Sequence, residues 1–317
     1  MSVKRLLLIG VAAAWAAGCA RPIPVKVGAP VAFQHRTTVF TIDVPDDWTR
    51  LQDQVPTEAL GIFTDPTGQA TIVAYVGLLD HRFGNEEGLR VVARLTANLL
   101  RRPDDYQITG QEHRADGAFE VGFRYSRGEQ NHAGLAVFRD TKLALSGVII
   151  SGPEAFWPRL RMALLPYAES FEFDPEVVRG AYFDILEDVY YILVVPIDWP
   201  RQRSRFGTEV RSRFGRMSIR LVQRDLGREI DRADLVDQTL ATLHAGFNLV
   251  VEVLASEPQS DGRLKLTLRQ ADQQIIGYVE TFDTHLVGIF FDVPDDRVED
   301  YQSFMDFVYS MYISGLP

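Results

Sequence analysis

One pattern occurs twice along the chain, and this repeat limits the possible folds more than any other feature. The residues Val-Pro-Asp-Asp-Trp at 44–48 return 151 residues later as Val-Pro-Ile-Asp-Trp at 195–199. The apolar residues before each motif alternate in the same phase, and Gly147 near the end of the first copy corresponds to Gly288 in the second. Because the matches keep their order and phase, the sequence predicts two copies of one domain.

Hydrophobic periodicity gives the fold of each copy. Alternating runs predict strands at 38–44, 60–64 and 69–77, and the spacing of apolar residues predicts a helix over 86–100. Four more strand-like runs follow, and Pro153 is placed to open a second helix. The prediction is therefore an α+β fold with two tandem domains, 33–175 and 180–317. Each is an antiparallel sheet with helices packed on it.

The first eighteen residues predict a lipoprotein signal peptide. Lys4 and Arg5 precede an apolar run at 6–17, which is shorter than the roughly 20 residues that a membrane helix needs. The run ends at Ala-Ala-Gly-Cys (16–19), which resembles the bacterial lipobox, although Ala16 stands where Leu is usual. We therefore expect Cys19 to carry the lipid and to hold the protein at the membrane, outside the cytoplasm.

The cysteine content supports this prediction. Cys19 is the only cysteine of the chain, so no internal disulfide can form, and a free thiol is a liability in an oxidising compartment. An ordinary secretory signal cleaved near Ala17 is the alternative, and it would leave a soluble protein. Residues 19–32 contain three prolines and predict an extended tether between the anchor and the first domain.

The motifs at the start and end of the first copy resemble the PsbP/Mog-type fold, which includes photosystem II PsbP and DcrB-type bacterial lipoproteins. The resemblance depends on Ile-Asp-Val-Pro-Asp-Asp-Trp (42–48), Phe-Thr-Asp-Pro (63–66) and Ser-Phe-Glu-Phe (170–173). The second copy keeps its Trp motif but lacks the Asp-Pro turn. The resemblance implies the same α+β fold and a non-enzymatic accessory or binding role, and it assigns no functional residue.

Catalytic and metal-binding motifs are absent from the sequence. There is no Gly-x-Ser-x-Gly, His-Glu-x-x-His, P-loop, dinucleotide-binding glycine pattern or EF-hand loop, and the six histidines are scattered singly. We therefore expect no enzyme activity, metal or cofactor. Trp48 and Trp199 admit a ligand-stacking role beside a carboxylate, but their occurrence in both copies favours a shared structural role.

Arginines are concentrated in one segment of the second domain. Residues 201–232 contain ten arginines and four acidic residues, although the whole chain has a net charge of −10. Strand alternation places Arg216, Arg220 and Arg224 on one face, where bidentate guanidinium groups could bind phosphate or carboxylate. The alternative is internal pairing with the acidic surplus of the same domain or with domain 1, and we favour it. The net negative charge excludes a general nucleic-acid binder.

These observations leave three hypotheses for function. The leading one is a lipid-anchored, non-catalytic envelope protein that binds an envelope protein or a small ligand in the groove between sheet and helices. The second is a module that binds a polyanion or lipid headgroup through the segment Arg201–Arg232. The third, an envelope hydrolase, lacks a recognisable pair of nucleophile and base.

Overall fold

The computed structural model describes residues 25–55, 58–101, 103, 105–141, 143–188, 190–212 and 216–314. The predicted signal peptide and Cys19 lie outside the described residues. Domain 1 consists of β1 (Pro30–Gln34), β2 (Phe40–Pro45), β3 (Thr49–Val55), β4 (Glu58–Thr64), β5 (Thr71–Leu78), α1 (Asn85–Leu99), β6 (Gln107–His113), β7 (Phe119–Arg127), β8 (Gln130–Asp140), β9 (Ala144–Pro153), α2 (Trp157–Glu169) and β10 (Glu172–Phe173).

Domain 2 repeats this order. After α3 (Pro175–Tyr182) come β11 (Phe183–Asp188), β12 (Tyr191–Pro196), β13 (Arg201–Ser204), β14 (Gly207–Arg211), β15 (Ser218–Asp225), α4 (Leu235–Phe247), β16 (Glu252–Pro258), β17 (Leu264–Gln270), β18 (Gln273–Phe282), β19 (His285–Pro294), α5 (Val298–Ser310) and β20 (Ile313–Ser314). Short 3₁₀ turns precede three of the helices, at Glu154–Phe156, Arg232–Asp234 and Asp295–Arg297.

The two domains have the same sheet topology. Each has a seven-stranded antiparallel sheet, with order β3-β4-β5-β9-β8-β7-β6 in domain 1 and β13-β14-β15-β19-β18-β17-β16 in domain 2. Each also has a three-stranded sheet, β1-β2-β10 or β11-β12-β20. The predicted α+β fold in two tandem copies is confirmed. The sequence did not predict the three-stranded sheets, nor the strands β3 and β13, which pair with β4 and β14.

The equivalent glycines Gly147 and Gly288 lie where neighbouring strands come close. A Cβ atom on Gly147 would lie 2.2 Å from the carbonyl oxygen of Val137, and one on Gly288 would lie 3.0 Å from that of Tyr278. Both contacts cross the same pair of strands in the two copies, β8–β9 and β18–β19. A side chain there would push the strands apart, which explains why the repeat keeps glycine at this position.

Apolar side chains cover both faces of each large sheet. In domain 1, α2 and the small sheet cover one face through Leu160 and Leu164, and α1 covers the other face through Val92 and Ala93. In domain 2, α5 and α4 take the same positions. The result is a layered domain with a helix on each side of its main sheet.

The segments beside domain 1 differ from the predicted tether and junction. Over its described part, the tether predicted for 19–32 belongs to domain 1, because Val25 and Val27 pack on the core and Pro30–Gln34 pairs with β2. At the predicted junction the chain forms the helix α3. Asp174 caps it by accepting the backbone N–H of Glu176 at 2.9 Å, and Pro175 occupies its first turn.

Candidate functional site

A groove of about 390 Å³ lies between α1 and the end of the large sheet of domain 1, and domain 2 forms its third wall. Near its start the helix packs closely on the sheet at Gly88, where a Cβ atom would lie 2.3 Å from the ring of Phe119. Further along the helix, its side chains and those of β5 line an open space. The apolar lining includes Leu79, Phe83, Leu95, Leu145 and, from domain 2, Trp199.

Charged side chains surround this apolar floor. Arg90 and Arg94 stand one turn apart on the exposed side of α1, and Glu58 and Asp198 also reach the groove. Arg90 lies 3.7 Å from Glu86, but both side chains are largely exposed, so this pair contributes little. Arg94 has no ion pair or hydrogen bond among the described residues, so its guanidinium group is available to a ligand.

The inner end of the groove is closed by a buried polar network between the domains. The carboxylate of Asp80 is fully buried, lies 2.6 Å from Nδ1 of His81, and accepts a hydrogen bond from the hydroxyl of Ser212 in domain 2. The other ring nitrogen of His81 faces Glu87 at 3.4 Å. The imidazole ring stacks on Tyr301 of domain 2, with 4.8 Å between ring centroids.

Glu87 is the centre of the charged part of this network. Arg297 of domain 2 lies 2.7 Å from one carboxylate oxygen of Glu87, and Arg216 lies 3.4 Å from the other. Burial pushes the pKa of Glu87 upward, but the hydrogen bond from Arg297 and the charges of His81 and Arg297 outweigh it and hold the pKa below its usual value. The two domains are therefore joined by charge-assisted hydrogen bonds as well as by apolar contact.

Backbone contacts reinforce the same junction. Arg297 donates to the carbonyl oxygen of Arg82 at 3.2 Å, and the N–H of Arg82 donates to the carbonyl oxygen of Asp300 at 3.0 Å. Leu143, from the turn between β8 and β9, is buried in the apolar core of domain 2. The wall that domain 2 gives to the groove is thus fixed in place, and the groove is preformed.

The arrangement of Asp80, His81 and Ser212 differs from a serine-nucleophile site. In such a site the hydroxyl donates to the imidazole, and the carboxylate binds the other ring nitrogen. Here Asp80 lies between the other two, since it accepts from Ser212 and binds His81. All three side chains are buried. The geometry suits a fixed contact between domains better than proton transfer to a substrate.

The two repeated tryptophans lie in different surroundings. Both are buried, with 3% of Trp48 and 5% of Trp199 exposed. The indole N–H of Trp48 donates to the carbonyl oxygen of Lys26 at 3.4 Å, so this ring contacts the segment that leads into β1. Trp199 stacks on Phe304 at 5.3 Å and also borders the groove.

The three candidate anion-binding arginines do not form an exposed row. Arg220 is buried and bonded to Glu209 and Asp292, Arg216 lies beside Glu87, and Arg224 donates to a threonine hydroxyl at 3.2 Å. The strand face that alternation predicted to be open is covered by α4, which packs on Val222 of the same strand. The acidic partner of Arg216 lies in domain 1, and those of Arg220 lie in domain 2.

Sequence reasoning did not single out the groove residues. His81 was one of six scattered histidines, and nothing marked Arg94. The repeat contained one usable signal. The second copy has Gly227 and Arg228 at the positions of Asp80 and His81, so these two residues do not belong to the pattern that both copies share. In the part of the chain that the structure describes, no group of three His, Cys, Asp or Glu side chains could hold a metal ion.

Comparison with known proteins gives likenesses of fold only. No model of a known protein family matches the chain, and no curated protein matches it by sequence. Among solved structures, the chain is similar to PsbP of the cyanobacterium Synechocystis, with 15% identity over 49% of this chain and 99% of that one, and a TM-score of 0.38.

A second similar structure is LpqN, a protein involved in cell envelope biogenesis of Mycobacterium tuberculosis. It shares 18% identity over 46% of this chain and 91% of its own, with a TM-score of 0.30. The immunity protein TplEi of Pseudomonas aeruginosa matches 92% of this chain at 10% identity, with a TM-score of 0.22. The two-copy fold itself rests on the strand order described above.

Proposed function

We propose that this protein is a non-catalytic, lipid-anchored binding protein of the cell envelope, and that the groove between its domains holds a small apolar ligand with an acidic group. The observation that carries the proposal is the groove itself, a preformed apolar space of about 390 Å³ bordered by Arg94, which has no ion pair with any described residue. Small-molecule sites usually combine an apolar lining with a few polar groups that orient the ligand, and they often lie between domains.

The proposed location is supported by the start of the chain. The signal-like run and its terminal Cys19 suit lipid attachment and export. Among the described residues, no helix is long and apolar enough to cross a membrane. In this proposal the lipid on Cys19 holds the protein to the membrane, and each buried methylene of an acyl chain contributes about 0.8 kcal/mol.

The non-catalytic role is supported by how the reactive groups of the groove are engaged. Asp80 and His81 hold one another and contact Ser212 and Tyr301 across the domain boundary. Glu87 is held by Arg297 and His81. These side chains therefore bond to one another and to domain 2 rather than facing a substrate.

The ligand chemistry follows from the side chains that remain available. Leu79, Phe83 and Leu95 offer an apolar surface, and Arg94 offers a planar cation with several N–H donors to a carboxylate, phosphate or sulfonate. The polyanion hypothesis has no comparable observation, because Arg216, Arg220 and Arg224 are occupied by partners inside the protein.

A fluorescent probe with this chemistry tests the proposal directly. 1-Anilinonaphthalene-8-sulfonate carries aromatic rings and one sulfonate, and its emission rises in apolar surroundings. We expect saturable binding of one probe per chain by the folded protein. Arg94→Gln should weaken it roughly tenfold, the effect of losing one charge-assisted hydrogen bond. Leu95→Glu should abolish it by placing a carboxylate on the apolar floor.

Arg159→Gln is the matched control, because Arg159 is an exposed arginine on α2, on the opposite face of the sheet. Its affinity for the probe should equal that of the unmodified chain. Unsaturable binding, or equal affinity in Arg94→Gln, Leu95→Glu and Arg159→Gln, would show that the probe binds elsewhere and would refute the groove as the ligand site.

A further inference from the structure

A second cavity of about 510 Å³ lies at one end of the large sheet of domain 2. Strands β14, β15 and β19 carry side chains into it, and the turns before β18 and α5 form its rim. Arg216 reaches this cavity as well as the groove, but the other residues of the two sites differ. Four carboxylates line the cavity: Glu209, Asp272, Asp292 and Asp296.

Two of these carboxylates belong to a buried ion cluster. Arg220 lies 3.0 Å from Glu209 and 2.7 Å from Oδ2 of Asp292, and Arg211 lies 2.8 Å from Glu209. Glu209 is thus satisfied by two guanidinium groups. The second oxygen of Asp292, Oδ1, is buried and has no hydrogen-bond partner among the described residues, and only 9% of Asp292 is exposed.

Such an oxygen is costly to leave unsatisfied. A buried carboxylate oxygen without a donor loses its hydration and receives nothing in return. Burial raises the pKa of Asp292, and the neighbouring charge and hydrogen bond of Arg220 act against this rise. A buried acceptor of this kind in a native protein calls for a ligand or another special role.

The other domain shows that the fold does not need these charges. By the pairing of strands, the positions of the cluster correspond in domain 1 to Ile62, Val73 and Ser151. Glu209, Arg220 and Asp292 occupy the same ladder in domain 2. Burying an ion cluster gives little net stability compared with apolar side chains, so its presence in one copy only points to a function of that copy.

Four arginines (Arg211, Arg216, Arg220 and Arg297) also line the cavity, so the formal charges of its lining balance. Two of these arginines, Arg216 and Arg297, pair with carboxylates outside the lining, so the pairing leaves two lining carboxylates over. Each arginine that lines it has a carboxylate partner. Asp272 and Asp296, on the exposed rim, have no ion pair among the described residues. A group that carries positive charge and several N–H donors would satisfy both the rim and Asp292, and an ammonium group has these properties.

We infer that this cavity is a binding site for a small organic ammonium ligand. One N–H of the ligand donates to Oδ1 of Asp292, and the rim carboxylates of Asp272 and Asp296 balance its charge. A metal ion fits less well, because no three acidic or histidine side chains of the described residues converge closely enough to ligate one. The site shares Arg216 with the proposed groove, but Arg216 is a ligand contact in neither proposal, so either can fail without the other.

Calorimetric titration of the intact folded protein with 1,4-diaminobutane tests this inference, and 1,4-butanediol serves as its uncharged counterpart. We expect the diamine to bind at one site per chain, with an affinity that falls as salt is raised. The diol should not bind. Asp292→Asn should weaken diamine binding about tenfold or more.

Asp272→Asn is the second variant, because Asp272 is exposed and its loss should leave folding unchanged while it also weakens binding. Asp295→Asn is the matched control, since Asp295 pairs with Arg269 at 3.3 Å and does not line the cavity. Circular dichroism checks the fold of each variant. Absence of diamine binding, equal binding of the diol, or unchanged affinity in Asp272→Asn would overturn the inference.

Discussion

In domain 2, Glu209, Arg220 and Asp292 form an ion cluster whose side chains are 8%, 10% and 12% exposed. Domain 1 carries Ile, Val and Ser at the equivalent positions. Replacing Arg220 alone by Val would leave two carboxylates buried without their shared cation, a change that typically costs about 3–5 kcal/mol. Arg211 would still hold one oxygen of Glu209, so the lower part of this range is expected.

The triple replacement Glu209→Ile, Arg220→Val and Asp292→Ser should behave differently. It removes the buried charges together with their partners and installs side chains that pack in the same ladder of domain 1. Such replacements are neutral or stabilising by about 1–4 kcal/mol in other proteins. The free energy of unfolding of the triple variant should therefore exceed that of Arg220→Val by about 3 kcal/mol or more.

Urea unfolding measures this difference. Trp199 is the one tryptophan within 180–317, and Trp15 lies in the predicted signal peptide. In the chain that starts at Cys19, fluorescence therefore reports on domain 2 when Trp48 and Trp157 are replaced by Phe. Arg269→Val is the control, because it breaks an exposed pair and should cost about 0–1 kcal/mol. If the triple variant unfolds as easily as Arg220→Val, the cluster stabilises domain 2 and our view of it as a functional feature is wrong.

Three further predictions concern single residues. Trp48→Ala should lower the free energy of unfolding by about 3–5 kcal/mol, measured by urea titration, because the ring is buried. Burial lowers the pKa of His35 and His132, so their contribution to stability should be fully present above pH 6.5 and be lost as the pH falls below it. The melting temperature should therefore fall with pH in this range, and it should fall less steeply in His132→Phe. Cys19→Ser should release the protein from membranes or leave an uncleaved precursor, and recovery of the unmodified chain with a free thiol by intact mass would contradict the lipid anchor.

The parts of the fold that local patterns determine were predicted well. The helix expected over 86–100 is Asn85–Leu99, and the second helix, expected to open at Pro153, begins at Trp157 after a short 3₁₀ turn. Both have apolar residues at helical spacing. The strand expected at 38–44 begins later, at Phe40. Edge strands such as β6 have mainly exposed side chains, so their bounds depend on pairing as much as on pattern.

The candidate sites could not be predicted in the same way, because their contacts join distant parts of the chain. Asp80 meets Ser212, and Arg220 meets Asp292, across 132 and 72 residues respectively. Alternation correctly placed Arg220 opposite Met217 and Ile219, but it does not tell which helix covers that face. Once α4 covers it, a charged row that looked like a binding surface is partly buried and paired.

The position of Leu143 has a consequence for how the duplicated chain can be divided. This residue belongs to domain 1 in sequence, but its side chain fills part of the core of domain 2, and its carbonyl oxygen accepts the N–H of Leu79 beside the groove. A fragment comprising 183–317 would therefore have a cavity where that side chain lies. Mixing it with the fragment 25–182, which keeps α3 whole, should restore the missing contact. The two fragments together should therefore be more stable than either fragment alone.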